Sequence, residues 1–441
     1  MLKRKAMNSL EKWKADPERK SLLISGARQV GKTYLVRRFA EANYTSVIEL
    51  NFLENQSLTD IFSGALDGHS ILTNIRLVMP HQKIIPGETL LFLDEIQECP
   101  QAVTALKFLT QEKNIDVIAS GSALGIAYKQ AVSFPVGAVD YLDMTSLDFE
   151  EFLWAMQIDE DVLSDVKTFF IQKKTVPLSI HKKMTEYLRQ YMVIGGMPEV
   201  VQKFADTQSY IEADTIQRSI YRSYITDIAH YAPADVKIKA EKCYKSIPLQ
   251  LTKENHKFQY KTVEPKGTAR KFETSIDWLI NAYMAYPVYN VSAIEYPLKA
   301  YDKEDNFRIY MNDIGLLIST YDYEIKNVLL HDGMIEEKPE NLVLRVAKGG
   351  LYEALAADIL LKRGKELHFY RNDAGTVELE FFFETAEGII PVEIKAGRSS
   401  TASLNRVLEM DNVPYGYKLS LQNVGVSRKK ITLPLYMLMF L

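Results

Sequence analysis

Apolar residues in this chain fall into two kinds of run. Short unbroken ones, Leu22-Leu23-Ile24 and the Leu90–Leu93 stretch of TLLFLDEIQE, have the length expected of strands buried on both faces. Others recur three and four residues apart, as in Leu2, Ala6, Leu10 and Trp13, or Tyr34, Leu35 and Phe39, and predict helices packed by one face. A further helix, PQAVTALKFLTQE, and a strand, IDVIASGSALG, complete an alternation that predicts a parallel α/β sheet. In such a sheet ligands bind at the C-terminal strand ends. Residues 156–235 read as helices, interrupted by the Gly-Pro turn of MVIGGMPEVV. TSIDWLINAYMAYPVYNV reads as a helix leading into a strand, and PLKAYDKEDNFRIYMND as a second strand pair. Towards the C-terminus, the helix RVAKGGLYEALAADILLKRG precedes the strand VELEFFF, the turn ETAEG and a hairpin partner, GIIPVEIKAG.

Composition narrows the class. The 441 residues are 47% hydrophobic and 25% charged, as in globular proteins, and no apolar run approaches the ~20 residues of a membrane span. The basic N-terminus lacks the apolar stretch of a secretory signal, and Cys99 and Cys243 form no metal-type cluster. A reduced, cytoplasmic protein is the expectation. The net charge of −4 gives no overall bias towards nucleic acid, but the segment from Lys237 to Lys271 carries ten Lys or Arg against three Glu. Tyr244, Phe258, Tyr260 and Phe272 interleave with them. Such a segment is either a footprint for double-stranded DNA or a solvated face around core aromatics.

The sharpest chemical signal follows the first strand. Gly26-Ala27-Arg28-Gln29-Val30-Gly31-Lys32-Thr33 matches G-x-x-x-x-G-K-[ST] between a strand and a helix. The glycines let backbone N–H groups wrap around phosphates, Lys32 reaches the β- and γ-phosphates of ATP, and the Thr33 hydroxyl ligates Mg²⁺. The next buried strand ends in Asp94-Glu95: Asp94 suits the Mg²⁺ shell and Glu95 the polarisation of the attacking water. Ser120 or Ser122, at the end of a further strand, either senses the γ-phosphate or caps a helix.

A second set of polar residues lies in PVEIKAG. Side chains two apart in a strand share a face, so Glu393 and Lys395 stand side by side. Glu380 in VELEFFF and Glu353 on the preceding helix can join them, giving three acids for a divalent cation and a lysine to position water against a phosphodiester. An earlier Glu324-Ile325-Lys326 follows no such hairpin.

Taken together, GARQVGKT, LFLDEIQ, the SGS turn, LDFEEFLWA, VIGGMPEVV, WLINAYMAYPVYNVS, FRIYMNDIGLL and PVEIKAG resemble the prokaryotic AAA+ ATPases of the AAA-14 type across nearly the whole chain. The resemblance implies an AAA+ P-loop core over 1–155, a helical lid over 156–235, a winged-helix-like domain over 236–330 and a PD-(D/E)XK nuclease-like domain over 331–441. Two departures stand out. Gly137 is followed by Ala138 where relatives carry a basic residue, and Glu380 stands where they carry Asp, extending the carboxylate by roughly 1.5 Å. The implied function is a DNA-associated ATPase with a nuclease-like domain. The alternative is a nucleotide-switched signalling or scaffolding protein with no DNA role.

Overall fold

A computed structural model describes residues 2–122, 137–253, 256–331, 342–395 and 401–441. Three pieces of the motifs above lie outside the described residues: Ala123–Gly125 of SGSALG, Ala396-Gly397 of PVEIKAG, and Glu254 of the basic segment. The chain divides into two compact units. One comprises Arg4–Ser146 with Asn281–Met284; the other comprises Met1–Lys3, Leu147–Ile280 and Ala285–Leu441.

The first unit is built on strands β1 (Ser21–Ser25), β2 (Ser46–Asn51), β3 (Thr89–Asp94), β4 (Asp116–Gly121) and β5 (Val139–Asp143), in the order β2-β3-β4-β1-β5. Every pairing is parallel, as the alternation of strands and helices predicts. Helices cover the faces, so β1 and β3 are buried along their whole length. Ile48, Leu91, Leu93 and Ala119 of the sheet pack with Val103 and Leu106 of the helix Pro100–Leu109 in one apolar core. At the end of β1 the backbone passes close to Met144, the residue that follows β5. A Cβ on Gly26, whose φ is +148°, would lie 2.0 Å from the Met144 carbonyl oxygen, so a side chain there is excluded.

The second unit begins with helices Phe149–Ala155, Glu160–Gln172, Leu178–Ile194, Pro198–Thr207, Tyr210–Tyr231 and Lys237–Leu251. GGMP is the expected turn between two of them. Gly195 has φ +71°, and Cβ atoms on Gly195 and Gly196 would run into Asp313 and the Leu147 carbonyl. That closeness lets the Gly196 N–H donate to Asp313 Oδ2 at 2.8 Å. The same carboxylate is 3.1 Å from Lys362 Nζ, which also meets Asp358 at 2.9 Å, while Tyr191 donates to Asp358 at 2.7 Å. A buried charge group of this kind is tolerated because its members satisfy one another.

An eight-stranded sheet dominates the rest. Its strands are β6 (Ala285–Val291), β7 (Asp302–Met311), β8 (His368–Arg371), β9 (Glu378–Thr385), β10 (Gly388–Lys395), β11 (Gly416–Ser420), β12 (Gly425–Ser427) and β13 (Lys430–Pro434), in the order β12-β13-β11-β10-β9-β8-β6-β7. VELEFFF and GIIPVEIK form the expected antiparallel hairpin, with Phe381 opposite Val392. Two features differ from expectation. PLKAY is a helical turn, Leu298–Tyr301, anchored by buried Leu298, so a single strand β7 follows and pairs with β6. That hairpin then joins β8 in the C-terminal sheet rather than standing apart. Glu324 and Lys326 lie on the helix Tyr323–Leu330, where Lys326 pairs with Asp214, so the earlier Glu-x-Lys is an ordinary ion-paired helix segment. No helix among the described residues is long and apolar enough to cross a membrane.

Candidate active sites

The order of the parallel sheet gathers the phosphate-site residues. β4 lies between β1 and β3, so the loop after β1, the acids ending β3 and the serines ending β4 meet at one sheet edge. The loop bends through Gln29 and Gly31, both with positive φ, and delivers Lys32 and Thr33 as the first residues of the helix Lys32–Asn43. Lys32 is buried, and its ammonium donates to the carbonyls of Gly26 at 2.9 Å and Ala27 at 2.8 Å. Burial lowers its pKa to about 8, against the pull of Glu95 and Asp94.

Thr33 Oγ1 lies 2.9 Å from Asp94 Oδ2 and 3.1 Å from Oδ1. Ser120 donates to the same carboxylate, and Asn51 Nδ2 reaches Asp94 Oδ2 at 3.1 Å. Burial raises the pKa of Asp94, and the Ser120 and Thr33 hydrogen bonds oppose that rise. Glu95 adopts the left-handed conformation, φ +51°, which turns its side chain away from the strand direction. Its Oε2 accepts from Gln97 at 2.5 Å and from Ser122 at 3.5 Å, and Ser122 accepts in turn from Arg28 Nε at 3.4 Å. Both serines therefore address the acids of β3. Asn51 and Gln97 were not singled out in the sequence; an Asn at the end of the strand beside β3 is too common a signal to stand out.

The C-terminal acids divide into two groups. Lys395 Nζ lies 3.2 Å from Glu393 Oε1 and 3.7 Å from Glu380 Oε1, and the Ile394 N–H donates to Glu380 Oε2 at 3.2 Å. Burial pushes the pKa of Glu380 up to about 7 against Lys395, and raises that of Glu393 as well. Glu393 Oε2 is buried without a hydrogen-bond partner.

Glu353 does not join this set as a cation ligand. Its Oε1 accepts from Arg308 Nη1 at 2.8 Å and from the Tyr310 hydroxyl, and His256 Nδ1 lies 2.7 Å from Oε2. Burial favours the neutral acid, but Arg308 and His256 override it and hold the carboxyl at about 2. Arg308 also bonds Glu378 and lies 4.2 Å from the Phe369 ring centroid. The expected three-acid shell of Glu353, Glu380 and Glu393 is thus replaced by an arginine lock on Glu353. Among the described residues no group of three or more His, Cys, Asp or Glu is arranged to hold a metal ion. The available signal was Arg308 itself, a cation inside the apolar run FRIYM.

In the basic segment Tyr244, Phe258 and Phe272 are buried, so these aromatics serve the core rather than presenting flat faces to bases. Lys242 and Lys271 pair with Glu264, Lys245 with Glu241, and Lys253 donates to Thr262. Lys261, Lys266 and Arg270 are exposed.

Comparison with known families gives three matches in succession. Residues 18–153 match a model described as an AAA domain, of the AAA-14 type. Residues 185–324 and 348–437 match two domains of unknown function, DUF8612 and DUF4143. No curated protein matches. Among solved structures, the Walker-type ATPase PABY2304 of Pyrococcus abyssi is similar at 12% identity and TM-score 0.44, over 72% of this chain and 95% of that one. The Aeropyrum pernix ORC1 protein in complex with DNA is similar at 11% identity and TM-score 0.31, over 76% and 93%. Drosophila ORC bound to DNA is similar at 14% and 0.28, over 69% and 90%. The AAA domain match over 18–153 thus spans the G-x-x-x-x-G-K-T loop and the acids that end β3.

Proposed function

We propose that the protein binds ATP with Mg²⁺ at Gly26–Thr33 and hydrolyses it slowly. The observation that carries this reading is the meeting of Lys32, Thr33, Asp94 and Ser120 at one strand-end crevice, with Glu95 beside them. The residues suit the cation: a threonine hydroxyl touching a buried carboxylate is a pair of hard oxygen donors. Mg²⁺, when bound there, neutralises charge on the phosphate oxygens. The chain supplies the rest. Loop N–H groups, freed from side-chain crowding at Gly26, hold phosphates. Lys32, held at the loop carbonyls, turns its ammonium towards the β- and γ-phosphates. Glu95 takes the proton of the attacking water, and Ser120 couples the state of Asp94 to the γ-phosphate. Ala138 follows Gly137 where the resemblance implies a basic residue; if that residue contacts the γ-phosphate, its loss predicts slow turnover unless another Arg takes its place. Isothermal titration of ATP tests the reading: Lys32→Ala should abolish binding at the loop, and Glu95→Gln should bind ATP there yet not hydrolyse it. Unchanged affinity in Lys32→Ala would sink the assignment.

A second reading concerns the C-terminal sheet and a DNA-associated role. The unpartnered Glu393 Oε2, beside Glu380 and Lys395, favours a single divalent cation between the two acids rather than a bare ion pair. On this reading Lys395 positions water against a phosphodiester, and the long Glu380 limits activity. Mg²⁺ or Mn²⁺ should then support weak DNA cleavage, lost in Lys395→Ala and raised in Glu380→Asp. Without cleavage under either metal, the domain is a nuclease-like binding module, as the scaffolding alternative requires. DNA contact itself is assigned to exposed cations of 237–271. Charge reversal at Lys261 and Lys266 should flatten the slope of log affinity against log salt, and an unchanged slope returns them to a solvated face.

A further inference from the structure

A cleft of about 540 Å³ lies between the helices Tyr210–Tyr231 and Lys237–Leu251, closed at one side by Ser319–Tyr321. Its size falls in the range of small-ligand sites, roughly 300–1,000 Å³. Among the described residues three cations, Arg218, Arg222 and Lys245, line it, and no acid does. Arg218 and Arg222 are one helical turn apart, a like-charge spacing that is mildly unfavourable when nothing lies between them.

Two of these cations already have partners, and Arg218 Nη2 donates to the Tyr321 carbonyl of the cleft wall at 3.3 Å. Arg218 meets Asp214 at 2.8 Å and Lys245 meets Glu241, each acid one turn towards the N-terminus on the same helix. Both pairs are partly exposed, so each is weak and can be exchanged for a better anion. Arg222 has no side-chain hydrogen bond or ion pair among the described residues and is exposed. The cleft wall is mixed: Tyr221 shares the helix of Arg218 and Arg222, and Pro248 and Leu249 share that of Lys245. Leu249 is 54% exposed there, next to Pro248 and to Tyr221, whose ring stacks on buried Tyr244. Tyr321 fixes that wall by donating to the Pro248 carbonyl at 2.8 Å. A helix-interior proline supplies this acceptor without an N–H of its own.

A cleft in which cations alternate with apolar and aromatic side chains on both helices offers charge to phosphates and contact area to a flat ring. We propose that this cleft is a second nucleotide site, separate from the phosphate loop, taking the phosphates of a nucleoside diphosphate on Arg218, Arg222 and Lys245. The guanidinium of Arg222 makes the decisive contact, because it alone has no competing anion.

Equilibrium dialysis of labelled ADP against the full-length chain tests this. The wild type should bind two equivalents, Lys32→Ala one, Arg222→Glu one, and the double variant close to none. In the Lys32→Ala background, Arg222→Glu should weaken ADP by about ten-fold or more, the loss of one charge-assisted contact. Two equivalents retained in Arg222→Glu overturn the cleft proposal, whereas two retained in Lys32→Ala overturn the phosphate-loop reading instead. Because Arg222 is exposed, the variant's melting temperature should match the wild type. Pyrophosphate binding as tightly as ADP in Lys32→Ala would show that the apolar and aromatic groups contribute nothing, and would overturn the nucleotide assignment. Displacement of ADP from Lys32→Ala by a short DNA duplex would do the same, in favour of a nucleic-acid backbone.

Discussion

Glu353 sits on a helix beside the acids of β9 and β10, yet its neighbours decide its role. A buried carboxylate facing a buried guanidinium is stable only while both are present. Arg308→Met should therefore destabilise the second unit by about 3–5 kcal/mol, whereas Arg308→Met with Glu353→Gln should recover part of that loss, as urea titration would show. The pH dependence has a definite sign. The folded carboxyl is held at about 2, below its ordinary 4.5, so its contribution is present above the ordinary value and is lost as pH falls towards 2. Arg308→Met weakens the depression, leaving His256 and Tyr310, and acid unfolding followed by circular dichroism should begin at a higher pH. At this scale Lys32, Thr33, Asp94, Glu393 and Lys395 were legible because local spacing carries their geometry. Arg308 and His256 were not, since they reach Glu353 from 45 and 97 residues away.

Among the elements, the end of β3 concentrates the conflict between stability and chemistry. A non-glycine residue in the left-handed conformation costs about 1–2 kcal/mol, and Glu95 bears that cost to aim its carboxylate. Glu95→Gly should thus raise the melting temperature, by an amount corresponding to roughly 1 kcal/mol, while ATP turnover vanishes. A melting temperature that falls instead would mean that the Gln97 contact outweighs the backbone strain. Strands and helices of this unit could be read from unbroken runs and three-four spacing, but the strand order could not. Nothing local in IDVIASGS says that β4 enters between β1 and β3, and the convergence of Ser120 on Asp94 depends on that insertion. The β9–β10 hairpin was legible because its turn is short and its alternation regular.

For the molecule as a whole, the boundary expected near residue 330 runs through a continuous sheet, since β6 and β7 precede it and β8 to β13 follow. Alternation within a strand identifies its buried face but not its neighbour, which is why that join was hidden. A chain cut to residues 331–441 loses two strands and the cation for Glu353. It should be unfolded or aggregated by gel filtration and circular dichroism, and a cooperative melt from that piece would contradict the shared sheet. The join itself is narrow. β6 meets β8 through only Tyr289 opposite His368 and Asn290 opposite Phe369, with the Asn290 side chain adding two bonds to the Arg371 backbone at 2.9 and 3.1 Å. Translation makes that narrowness a matter of time. The ribosome finishes β6 about 80 residues before it delivers β8, a delay of some 4–16 s at ~5–20 residues per second. Once β7 is made, the nascent hairpin presents an open strand edge able to pair with any neighbouring chain until β8 arrives, so the yield of folded protein should depend on how that edge is shielded as it emerges.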